Sequence, residues 1–92
     1  MMVVRLGHVE SPPSEKEERT FTDNISAHGA RVVSKCPWQP GAAVEVTSVR
    51  DGSAIRGSVV YCEGEGPDRF SIGLDFGAQE VPWSTYKRFN GL

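Results

Sequence analysis

Arg69-Phe70-Ser71-Ile72-Gly73-Leu74-Asp75-Phe76 is the most regular run in this chain. Phe70, Ile72, Leu74 and Phe76 fall on one face, and Ser71, Gly73 and Asp75 fall on the other. A period of two with one apolar face is the pattern of a strand half-buried in a sheet. Upstream, Ile55–Cys62 sets Ile55, Val59 and Tyr61 on one face against Arg56 and Ser58, and Ala43–Val49 sets Val44 and Val46 against Glu45 and Thr47. Arg19-Thr20-Phe21-Thr22 and Ala30–Ser34 are shorter β-favouring runs, and Met2–Val9 is apolar enough to be a further strand.

Turn chemistry separates these runs. Arg50-Asp51-Gly52-Ser53 carries an Asp-Gly pair, which accepts positive φ in a tight hairpin. Gly64–Asp68 and Cys36–Gly41 read as looser connections, and the charged, proline-rich Pro12–Glu18 as a mobile loop between the first two strands. Ten glycines, six prolines and closely spaced strands give an all-β expectation: a small antiparallel barrel, closed because closure removes sheet edges that a small core cannot protect. In the tail, Trp83, Tyr86 and Phe89 stand three apart behind Pro82, the spacing of a short C-terminal helix or turn packed on the barrel. The expected organisation is one domain over 1–92, with the barrel at about 2–80 and the tail at 81–92.

The chain has 92 residues, of which 38% are hydrophobic and 24% charged, too apolar for simple disorder and too polar for a helical membrane protein. Arg5 and His8 interrupt the N-terminus before a signal-peptide core can form, which points to the cytoplasm. A net charge of −2 supplies no long-range attraction for nucleic acid or anionic membrane, so neither is expected as a partner. Seven arginines against three lysines favour forked, local recognition of an anion. Cys36 and Cys62 lie 26 residues apart with no Cys-x-x-Cys pair, and His8 and His28 are distant from both, so neither a metal site nor a redox motif is read. No paired carboxylates, nucleophile triad or phosphate loop stands at interpretable spacing, so no enzyme activity and no resident cofactor are expected.

The chemistry concentrates in Thr22-Asp23-Asn24-Ile25-Ser26-Ala27-His28-Gly29-Ala30-Arg31-Val32. The sequence reads as a strand ending near Thr22, a polar turn held by Asn24 and Ser26, and re-entry into a strand at Ala30. Gly29 is expected to supply a backbone conformation that a β-carbon would oppose. Such a turn leaves amides and hydroxyls outward, able to meet a purine edge or a phosphate oxygen.

Asn24-x-Ser26-x-x-Gly29, followed by Ala30-Arg31-Val32, resembles the [Asp/Asn]-x-Ser-x-x-Gly signature of bacterial PilZ domains, and Ile72-Gly73-Leu74-Asp75-Phe76 resembles that family's closing strand. The similarity spans roughly residues 2–80. It implies a six-stranded β-barrel and a signalling module that receives the second messenger cyclic di-GMP and relays its state to a partner protein. By that resemblance Asn24, Ser26 and Gly29 would surround a guanine. The family's second element, an Arg-x-x-x-Arg that holds phosphates, does not occur before Asn24, where the only arginines are Arg5 and Arg19. Arg5, Arg19 and Arg31 are therefore the candidates to hold phosphate in its place. The alternative is a PilZ-like adaptor that binds no nucleotide and acts through protein contacts, as a monomer or weak dimer. Trp38, in its proline-flanked loop, suits either an interface or packing on the barrel.

Overall fold

A computed structural model describes residues 2–9 and 17–83. Six strands run β1 (Met2–His8), β2 (Glu18–Ser26), β3 (Gly29–Ser34), β4 (Ala43–Ser48), β5 (Ala54–Gly64) and β6 (Phe70–Asp75). They close into an all-antiparallel barrel in the order β1-β2-β3-β6-β5-β4, which leaves no strand edge unpaired. The expected short C-terminal helix or turn and most of the Pro12–Glu18 loop lie outside the described residues. Among those described, no helix is long and apolar enough to cross a membrane.

Alternation fills the barrel. Val4, Leu6, Val32, Val44, Val46, Ile55, Val59, Ile72 and Leu74 point inward and are buried. The two ends are closed by aromatic side chains. At one end Trp83 is fully buried, meets Phe76 edge to face at 6.0 Å, and donates its indole N–H to the Ser53 carbonyl at 3.1 Å. At the other end Trp38 stacks on His8 at 4.0 Å and is only 7% exposed. Of the two settings its loop allowed, Trp38 therefore takes packing on the barrel, and it is no exposed interface residue.

Three local expectations need correction. The β4–β5 connection covers Val49–Ser53, and only Gly52 takes positive φ (74°), so it is not the two-residue Asp-Gly turn. Ser48 organises this longer loop instead: its carbonyl accepts from Gly52 N at 2.8 Å and its Oγ from Asp51 N at 3.1 Å. Second, β2 does not stop near Thr22 but runs to Ser26, with a register shift between Thr22 and Asn24. Third, Tyr61 does not share the inner face with Ile55 and Val59. A second register shift lies between Val59, opposite Leu74, and Tyr61, opposite Gly73, with Val60 as the extra residue. A bulge of this kind moves everything beyond it to the other face. Tyr61 is therefore outside the barrel, and Cys62, opposite Ile72, packs against the core.

Candidate functional site

The two bulges lie on neighbouring parts of the wall and shape a single feature. On the outer face of β2, β3, β6 and β5, a shallow open cleft of about 280 Å³ is lined by Asn24, Ser26, Gly29, Ala30, Arg31, Val60, Tyr61, Gly73 and Leu74. Asn24 stands directly opposite Arg31, and Ser26 opposite Gly29, across the β2–β3 hairpin. Asn24 and Ser26 are thus strand residues, and the turn itself is only Ala27-His28.

Long-range hydrogen bonds hold that turn still. The Ala27 carbonyl accepts from Val81 N at 2.9 Å, and the His28 carbonyl from Phe76 N at 2.8 Å. His28 Nδ1 lies 2.8 Å from the Gln79 carbonyl, which can only accept, so the ring carries its proton on that nitrogen. Beside it, Ser26 Oγ donates to the Gly29 carbonyl at 3.3 Å. The rim is consequently fixed by the segment after β6, which is itself anchored in the core through buried Val81 and Trp83.

Gly29 is needed for a reason other than its backbone angle. Its φ is not positive, but a β-carbon there would stand 2.8 Å from the Leu74 carbonyl oxygen on β6. The requirement is close approach of two strands, not left-handed conformation. Gly73 shows the same logic at the cleft floor. A β-carbon at Gly73 would come within 2.6 Å of Tyr61 Cζ and 2.5 Å of Cδ2, because the phenol ring lies across the glycine.

Arg31 is the cationic group of the cleft. Its Nε donates to Asp23 Oδ1 at 2.8 Å, with both side chains well exposed. The Asp23 hydrogen bond and charge, with a smaller contribution from Tyr61, raise the guanidinium above its ordinary range, so it stays charged throughout neutral pH. Asp23 is the residue displaced by the β2 bulge, so the same irregularity that sets Asn24 opposite Arg31 also delivers the carboxylate that steadies it.

Of the six residues singled out from sequence, Asn24, Ser26, Gly29 and Arg31 come together here. Arg5 and Arg19 do not. They face each other across β1–β2, five residues down β2 from Asn24, roughly 16 Å away at ~3.3 Å per residue. Tyr61, Val60 and Gly73 were not anticipated as cleft residues. Two sequence signals could have exposed them. Val59-Val60-Tyr61-Cys62 breaks the alternation, as a bulge does, and a lone glycine inside a strand marks close approach.

The family model for the PilZ domain matches residues 5–82. The chain is a PilZ domain. PilZ domains are binding and signalling modules rather than enzymes, and the cleft has the character of a binding surface: shallow, open, half apolar, with one charged group. No curated protein and no solved structure matches the chain significantly.

Proposed function

We propose that this PilZ domain is a receptor for cyclic di-GMP that takes one guanine into the cleft of Asn24, Ser26, Gly29 and Tyr61 and relays the bound state to a partner protein. The observation that carries the reading is the convergence of Asn24, Ser26, Gly29 and Arg31 on one rigid rim beside the half-buried ring of Tyr61. The asparagine amide and serine hydroxyl supply donors and acceptors for a purine edge. The Tyr61 ring offers a π-face, and Arg31 offers a forked cation for a phosphate or for stacking. At about 280 Å³ the cleft suits one base, with the rest of the dinucleotide outside it.

Arg31 is a single guanidinium where the family uses two more. Two charge-assisted bonds at about 1.5–3 kcal/mol each correspond to a roughly hundredfold to ten-thousandfold difference in affinity. These 92 residues are accordingly a weak receptor. Calorimetric titration with cyclic di-GMP tests the reading: saturable binding that Asn24→Ala and Arg31→Ala each weaken supports it, and no heat at millimolar ligand overturns it. One observation favours the adaptor alternative, namely that Arg31 is already engaged by Asp23 while Arg5 and Arg19 stand elsewhere. In that case the domain binds its protein partner with the same affinity whether or not the dinucleotide is present.

A further inference from the structure

The arginines that the cleft does not use form a feature of their own. Arg5 and Arg19 are directly opposite each other on β1 and β2, so both project from the outer face, and both are exposed. Like charges placed opposite in a sheet repel. Neither arginine makes an ion pair with any described residue. The row continues around the wall. Lys35 directly follows β3, Arg69 directly precedes β6, and the strands lie in the order β1-β2-β3-β6. Arg19, Lys35 and Arg69 line one groove of about 250 Å³, whose floor includes half-buried Phe21 and buried Val33. Four of the ten cationic residues of an acidic protein thus stand in line across four strands, spanning roughly 14 Å at ~4.8 Å per strand.

We propose that this strip docks an acidic, extended segment of a partner protein, on the wall away from the Asn24 cleft. The carboxylates already present select among anions. Glu18 is committed to Ser34 Oγ at 2.6 Å and to the Lys35 amide at 2.8 Å. Glu65 stands 3.7 Å from Arg69, and Asp68 lies in the groove. A nucleic acid, charged at each unit, would run over these groups. A peptide can set acids on alternate residues, about 6.6 Å apart on one face, and reserve an apolar side chain for Phe21. Beside the basic row runs an apolar one, with Phe21 opposite Val3, which is 40% exposed. That mixture is the composition of a protein interface.

The test is an NMR titration of the whole chain with blocked hexaglutamate, following backbone amides and arginine Nε–H signals. Saturable shifts at Arg5, Arg19 and Arg69 are expected, with affinity falling at least tenfold between about 20 and about 200 mM salt as screening grows. The double variant Arg5→Gln/Arg19→Gln should lose at least tenfold in affinity while melting at the same temperature as wild type or higher, which separates lost docking from lost folding. Absence of saturable shifts, unchanged binding in the double variant, or tighter binding of hexathymidylate or inorganic phosphate at the same residues overturns the proposal.

Discussion

Gly73→Ala probes how the cleft floor is built, because its effect should depend wholly on one neighbour. Tyr61 sits opposite Gly73 across β5–β6, and the added methyl would fall 2.5–2.6 Å from ring atoms Cδ2 and Cζ, where ordinary contact needs 3.4–4 Å. The ring must therefore move by roughly 1 Å or swing away, an overpacking cost of about 1–3 kcal/mol. In a domain of this size each kcal/mol lowers Tm by roughly 4–8 °C. Removing the ring removes the clash. In a Tyr61→Ala background the same change should be neutral, or stabilising by up to about 0.5–1 kcal/mol, since glycine inside a strand is unfavourable relative to alanine. Thermal and urea denaturation of the four proteins gives the coupling directly. Equal destabilisation in both backgrounds would show that Tyr61 does not lie over Gly73 and would refute the described floor. A displaced ring also withdraws the stacking face, so Gly73→Ala should weaken cyclic di-GMP by roughly 5- to 150-fold, the equivalent of about 1–3 kcal/mol per stacked base.

Other consequences can be checked separately. Trp83→Ala should cost about 3–5 kcal/mol, since the indole is fully buried against Phe76, and a Tm within a few degrees of wild type by circular dichroism would contradict that packing. Gly29→Ala should destabilise by about 1–3 kcal/mol, because a backbone carbonyl (Leu74) cannot swing aside as a side chain can; an unchanged urea midpoint would remove close strand approach as the reason for glycine. Asp23→Asn should leave the Tm nearly unchanged, as the pair is exposed, and should tighten dinucleotide binding in calorimetry, because it frees the guanidinium and removes a negative charge beside the phosphate. The Arg31 guanidinium is raised in the folded state, so its contribution persists at every pH below the guanidinium range and is lost only above it. Affinity measured across neutral pH should accordingly show no step from this group.

Most of the barrel was legible because its strands obey a single local rule. Val44 and Val46, or Ile72 and Leu74, alternate with polar or small residues, and a closed sheet with one buried face demands nothing else. The failures occur where that rule is suspended. At Asp23 and at Val60 one extra residue enters a strand, and counting by two from either side then assigns Tyr61 to the wrong face. The motif residues Asn24, Ser26 and Gly29 stand out by resemblance, but the sequence puts them in a short polar turn, whereas the bulge, not a break, carries β2 on to Ser26. Gly29 and Gly73 were visible as glycines, yet their reasons lie on other strands, in the Leu74 carbonyl and the Tyr61 ring. Contacts between residues far apart in sequence set those positions, and no local pattern encodes them. Arg31 differs from Arg5 and Arg19 for the same reason: all three occupy outward strand positions, and only register places one of them opposite Asn24.

The receptor reading meets its most direct check in a ¹H–¹⁵N titration of the chain with cyclic di-GMP. Concerted, saturable shifts confined to the amides of Asn24–Arg31, Val60, Tyr61 and Gly73 are expected, together with an upfield move of the Tyr61 ring protons as a base stacks on them. Shifts scattered over the barrel, or none at millimolar dinucleotide, would contradict it.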